Sequence, residues 1–119
     1  MKDTKKVGNA AEEAVACALM RKGFTLIAKN YNVPGSGELD LVMRKGDCIY
    51  VVEVRSRLTT DWQTPIESID YGKRKKLYKT TRIFLAKNGL YDVDVSFLAG
   101  CVTHNREGVV QKIEIIPIE

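Results

Sequence analysis

Glu38, Asp40, Glu53 and Arg55 stand in two segments with the apolar alternation of strands, Gly37-Glu38-Leu39-Asp40-Leu41-Val42-Met43 and Cys48-Ile49-Tyr50-Val51-Val52-Glu53-Val54-Arg55. Arg44-Lys45-Gly46-Asp47 makes a turn between them. With Lys45 and Gly46 as a two-residue turn, Asp40 falls opposite Val51 and Glu38 opposite Glu53. Side chains alternate with period 2, so the four charged groups share one face. Like charges directly opposite one another destabilise a sheet. A chain that keeps three carboxylates in apolar strands therefore has a use for them, most simply to hold a divalent cation. The bland alternative is a cross-strand Glu–Arg pair on a solvated face.

Asp40 and Glu53, with Glu38 as an auxiliary, form the candidate metal set. Magnesium or manganese takes hard oxygen ligands, commonly one or two carboxylates completed by waters and substrate phosphate. A backbone carbonyl at residue 54 offers a further oxygen. An ion there would polarise a phosphate and help deprotonate water for in-line attack. Arg55 suits orienting that water or stabilising charge on phosphorus. It does not suit general-base work, because guanidinium stays protonated.

Two more candidates lie in expected helices. Ile69, Lys73, Leu77 and Phe84 fall near one helix face, so Lys73 either snorkels to water or reaches the charged hairpin. Asn9-Ala10-Ala11-Glu12 fits a capping box. If Thr4 begins the helix, Glu12 instead sits in its body beside Val15 and Leu19. Asp92 and Asp94 alternate with apolar residues and fit either a place near the site or a polar sheet face. His104 reads as a surface turn residue, and Gly35-Ser36-Gly37 is too short to cradle phosphate.

The net charge of +4 is modest, but Lys73, Arg74, Lys75, Lys76, Lys79, Arg82 and Lys87 follow one another with no acid between them. That density suits a polyanion, and nucleic acid, most simply DNA, is the expected partner, with Arg57 adding to the basic surface. A membrane is not expected: the helix's other face looks like core, and no apolar run approaches the roughly 18 residues of a span. No signal-peptide pattern opens the sequence. Cys17, Cys48 and Cys101 are odd in number and widely spaced, which reads as reduced thiols of a cytoplasmic protein. With no CxxC and a single histidine, zinc is not expected.

The elements that must position these groups follow from the same patterns. Helices are expected over residues 4–22, stopped by Gly23, and 66–87, stopped by Asn88-Gly89. Strands are expected over 24–30, both hairpin segments, 91–102 and 109–118, with Pro117 marking an edge or end. Loops fall at 32–37 and 58–65, the second carrying Trp62. The fold class is therefore α/β, one domain over residues 1–119, a mixed sheet flanked by helices in the order α-β-β-β-α-β-β.

Gly37-Glu38-Leu39-Asp40-Leu41, followed by Val51-Val52-Glu53-Val54-Arg55-Ser56-Arg57, resembles the GEIDL…FVEVKTR signature of the small bacterial YraN-like proteins. These belong to the PD-(D/E)xK nuclease superfamily with its restriction-endonuclease-like core, and are close in shape to archaeal Holliday-junction resolvases. Gly8-Asn9-Ala10-Ala11-Glu12 resembles the family's GxxGE, Pro65-Ile66-Glu67-Ser68-Ile69-Asp70 its PEEAVD, and Asp92-Val93-Asp94-Val95 its RFDVV strand. The resemblance implies Asp40, Glu53 and Arg55 as the metal and catalytic trio, and adds Glu12 as a helix-borne acid at the site. Arg55 stands where the superfamily carries lysine, as in some YraN-like relatives; Lys73 is the residue placed to take that role.

Two functions follow. One is a metal-dependent deoxyribonuclease, a phosphodiester hydrolase for which branched or damaged DNA in repair or recombination is a fitting substrate. The other is a nucleic-acid-binding module without turnover, on a degenerate nuclease fold. A homodimer is compatible with the likeness to junction resolvases.

Overall fold

The computed structural model describes residues 4–59 and 71–118, with the side chains of 9–59 and 72–118. Its elements are α1 (Thr4–Met20), β1 (Thr25–Val33), β2 (Gly37–Lys45), β3 (Cys48–Leu58), α2 (Tyr71–Lys87), β4 (Asp94–His104) and β5 (Val110–Pro117). The five strands lie side by side in chain order, antiparallel except for β3 and β4, which run parallel because α2 carries the chain back between them. This is the expected α/β architecture and element order. The start expected for the second helix, residues 66–70, and Trp62 lie outside the described residues.

Each helix closes one face of the sheet. Ala11, Val15, Ala16 and Leu19 of α1 recur at helical spacing and bury against Leu41, Met43, Val52 and Val102. Leu77 and Phe84 of α2 bury against Leu39, Val42, Ile49 and Val51 on the other face. α1 extends a turn past the expected capping box, so Asn9 and Glu12 lie in its body. Glu12 sits one turn before buried Ala16, at the edge of the packed face. Gly23, at φ +92°, ends that region by taking a backbone conformation that costs other residues energy.

α1 comes so close to the sheet at one point that only glycine fits. A Cβ on Gly100 of β4 would lie 2.8 Å from Val15 Cγ1 and 3.0 Å from Cγ2. Gly100→Ala is therefore expected to force α1 outward and lower unfolding stability by about 1–3 kcal/mol. Denaturant melts of the purified variant check this; an unchanged midpoint would show that the helix shifts freely.

The central hairpin turns one residue later than expected. Gly46 and Asp47 are its turn residues, and Lys45 pairs with Cys48. Only Gly46 has positive φ, +62°, which suits a turn with glycine at its first central position, as in type II′. Val42 rather than Asp40 therefore faces Val51, and Glu38 does not face Glu53. The register moves by two residues, an even step, so the side-chain alternation of β2 relative to β3 is unchanged.

Candidate active site at the fork of the sheet

Backbone pairing between β2 and β3 ends at Leu41↔Val52. Beyond it β2 stays with β1 as far as Val33↔Gly37, while β3 stays with β4 as far as Leu58↔His104. The sheet forks there. Continued past its last pair, the register sets Asp40 across from Glu53 and Glu38 across from Arg55. The Val54 N–H, which would have paired with β2, donates instead to Asp40 Oδ2 at 2.8 Å. A carboxylate thus replaces a backbone carbonyl at the apex of the fork, satisfying a donor that separation would have orphaned.

The alternation of β2 breaks at the same residue. Leu39 packs on the α2 side and Leu41 on the α1 side, although residues two apart in a regular strand share a face. Across from Asp40, between the pairs Lys29↔Leu41 and Tyr31↔Leu39, Asn30 has φ +52°. The expectation that Glu38, Asp40, Glu53 and Arg55 share one regular face is corrected accordingly. Glu38, Glu53 and Arg55 line a cleft of about 250 Å³ with Lys73, Lys76 and Thr80 of α2, and Asp40 is not among its lining residues.

Burial and crowding decide the electrostatics. Asp40 is pushed from 3.8 up to about 6, chiefly by desolvation, with repulsion from Glu12 and Glu38 adding to it and the Val54 hydrogen bond and Arg55 opposing it. Glu53 is pushed from 4.5 up to about 7 by desolvation and then by Asp40, against the pull of Arg55 and Lys73. Arg55 Nη2 lies 3.0 Å from Glu53 Oε1. Residues of four elements thus act on the two carboxylates, Glu12 and Arg55 on Asp40, and Arg55 and Lys73 on Glu53, which also feels Asp40.

Both folded pKa values lie above the ordinary ones, so the folded protein binds more protons than the unfolded chain between about pH 4 and 7.5. The stability linked to these groups is full below pH 4 and is lost as pH rises through 6 and 7. The pair is expected to cost on the order of 3 kcal/mol by pH 8. Melting temperatures between pH 4.5 and 8 check it: Asp40→Asn/Glu53→Gln should flatten the decline, and an equal slope in both proteins would refute the assignment.

The donor set suits a divalent cation that shares its coordination with substrate. Among the described residues no three His, Cys, Asp or Glu side chains form a ready-made cage. One oxygen of each carboxylate is engaged, Asp40 Oδ2 by the Val54 N–H and Glu53 Oε1 by Arg55, and the second oxygen of each is the one a cation would take. Two carboxylates completed by water and phosphate is how magnesium is commonly held. Among the described residues Glu12 Oε2 is buried without a hydrogen-bond partner, and its place in the body of α1 is not that of a capping residue.

The remaining expectations sort plainly. Lys73 is exposed at the rim of the cleft and does not snorkel out of core. Lys75, Lys79 and Arg82 point outward, Lys76 faces both the cleft and the outer surface, and Arg74 is half-buried. Arg57 is two residues further along β3, beside Thr103. Asp94 pairs with Cys48 at the hairpin end, five positions from the Glu53↔Ala99 pair, and so lies away from the site. His104 ends β4 with its Nδ1 buried, and is not a surface turn residue.

Thr80 was not anticipated. Its hydroxyl shares a 2.8 Å hydrogen bond with buried Ser36, tying the loop before Glu38 to α2. The signal was available, because Lys73, Lys76 and Thr80 recur at helical spacing. All three cysteines are free. No helix of the described residues is long and apolar enough to cross a membrane.

Comparison with known proteins adds the following. A sequence model described as "Uncharacterised protein family UPF0102" matches residues 11–111. A UPF0102 protein of Dictyoglomus turgidum is 29% identical over 115 residues, covering 97% of each chain. One from Moorella thermoacetica is 33% identical over 109 residues, covering 92% of this chain and 90% of that one. One from Stutzerimonas stutzeri is 39% identical over 89 residues, 75% and 73% of the two chains. The solved structure of an fdxN element excision controlling factor protein from Anabaena variabilis aligns at TM-score 0.45 and 14% identity, over 88% of this chain and 98% of the other.

Proposed function

Because the chain belongs to the UPF0102 family, the YraN-like family that its motifs resemble, we propose that it is a divalent-cation-dependent endonuclease acting on DNA. One observation carries this reading. Two desolvated carboxylates, Asp40 and Glu53, lie close enough to repel each other where the strands part, Glu53 in a cleft that Arg55, Lys73 and Lys76 also line. Carboxylates kept together at that cost suit a cation, and cations around a cleft suit phosphate.

Asp40 and Glu53 would hold the ion, with Glu38 at the cleft mouth and Glu12 behind Asp40. The chemistry a bound divalent cation supplies is polarisation of phosphoryl oxygen and acidification of water. Lys73 and Lys76 draw the phosphate into the cleft. Arg55 would bind a non-bridging oxygen as charge develops there, exchanging its present contact with Glu53 for one with phosphate. Glu12, buried beside Asp40, is placed to accept a proton from attacking water.

Labelled linear, flapped and four-way DNA incubated with magnesium or manganese tests this directly. Cleavage of at least one substrate that disappears on chelation is the expected result. No cleavage of any of them would overturn the hydrolase reading. A second reading, DNA binding without turnover, is favoured by the 3.0 Å Arg55–Glu53 pair, in which a guanidinium already neutralises one carboxylate. The melting temperature separates the two readings, since a ligand of the folded state alone must raise it. Under the hydrolase reading saturating magnesium or manganese raises it by a few degrees, and by less in Glu53→Gln; under the second neither ion has an effect.

A further inference from the structure

The outer surface of α2 holds a second concavity, separate from the cleft but sharing one wall with it. Gly72, Lys75, Lys76, Lys79 and Arg82 follow one stripe of the helix and line an open groove of about 320 Å³. All four cations are exposed, and none forms an ion pair among the described residues. Like charges three and four apart on a helix repel one another, so a stripe without acidic partners is retained against a stability cost. Lys76 lines both the groove and the cleft that holds Glu53 and Arg55.

We propose that this groove binds the sugar–phosphate backbone of duplex DNA beside the cleaved linkage, which rests on the hydrolase reading of the adjoining cleft. From residue 72 to 82 the helix rises about 15 Å, which along the axis of a duplex is the rise of roughly four phosphates of one strand. Among the described residues the groove is lined by glycine, lysine and arginine, with no aromatic side chain of the kind on which single-strand binders stack unpaired bases. Among the described residues no carboxylate or amide lines it either, so its contacts are those of lysine and arginine, which go chiefly to phosphate. A chain crossing Lys76 thus has one phosphate in the cleft and its neighbours on the helix. The substrate class is a linkage with several base pairs of duplex on one side.

Fluorescence anisotropy with a labelled 20-base-pair duplex and a single strand of equal length, in EDTA over 50–200 mM salt, tests the groove without cleavage. K75A/K79A/R82A is expected to lower the slope of log affinity against log salt by about 2.7 on the duplex, and to weaken binding at least about tenfold. The matching lysine-to-arginine exchange at 75 and 79 should keep the wild-type slope. R21A/K22A/R106A, which removes the same charge from exposed sites elsewhere, should change it little. An unchanged slope in the first variant, an equal fall in the control, or tighter binding of the single strand would each overturn the proposal. Binding in EDTA is read apart from turnover. A slope change without any cleavage therefore rejects the hydrolase reading alone.

Discussion

Replacing Asp40 by asparagine is expected to reduce metal-dependent DNA cleavage about 10³-fold or more, while raising the melting temperature at pH 8. The two effects have one cause. The asparagine carbonyl still accepts the Val54 N–H that Asp40 Oδ2 now takes at 2.8 Å, so the fork keeps its backbone bond. What is lost is a charge that burial and the neighbouring Glu12 and Glu38 already push towards neutrality. Removing it relieves Glu53, whose own pKa is raised in part by Asp40. Stability should therefore rise by roughly 1–3 kcal/mol at pH 8 and little at pH 4.5, where both groups bind protons. Loss of a ligand to a catalytic cation costs several kcal/mol of transition-state stabilisation, hence the size of the rate effect. Cleavage kinetics and thermal melts on one preparation check both halves. Retained cleavage would place the chemistry elsewhere, and a lowered melting temperature at pH 8 would show Asp40 to be a structural anion.

Phe84→Ala is expected to be the most damaging of the core truncations on α2, lowering stability by about 3–5 kcal/mol. Phe84 is 1% exposed and meets the Tyr31 ring edge-on at 4.8 Å between centroids. It packs among Leu39, Val42, Ile49 and Val51, so it anchors α2 to β2 and β3 together. With a total stability of order 5–15 kcal/mol, a loss of that size is a large fraction of what holds the fold. The midpoint of a thermal melt should fall by about 10–20 °C. The consequence reaches function, because α2 carries Lys73, Lys76 and Thr80 into the cleft. A melt midpoint within a few degrees of wild type would mean that Leu77 and the Ser36–Thr80 bond hold the helix unaided.

The hinge between these two results is Arg55. Its guanidinium sits on Glu53 at 3.0 Å, with side-chain exposures of 28% and 17% for the two groups. A half-buried pair of this kind neutralises the carboxylate on which the proposed ion binding would depend. Among the described residues Arg55 Nε is buried without a hydrogen-bond partner, so the guanidinium has a donor to spare there. A phosphate arriving at the cleft would offer it the oxygens it lacks.

How much of this was written in the chain can be followed residue by residue. Period-2 alternation in β2 and β3 marked both strands, because each has a buried core beneath it. The choice of charged residues was also legible, since carboxylates among Leu, Val and Ile have few structural uses. The register was not. Gly46-Asp47 and Lys45-Gly46 are both two-residue turns on paper, and only the positive φ at the first central position selects between them. Glu12 stayed ambiguous for a different reason: a capping box is a local pattern, and whether the helix starts at Thr4 or Asn9 depends on what α1 packs against.

The sequence by itself determined the element order, the two amphipathic faces, and the residue types at the site, because local periodicity and composition are properties of neighbours along the chain. Tertiary structure alone decided three things. It ended the pairing of β2 and β3 at Leu41↔Val52, so that Asp40 caps a fork instead of joining a flat row of charges. It brought Glu12 from α1 close to Asp40 and Lys73 from α2 close to Glu53. It divided one basic run between a cleft and an outer groove that meet at Lys76. Each depends on groups far apart in sequence and on how much water their meeting excludes, and desolvation is a property of the assembled volume that no local pattern encodes.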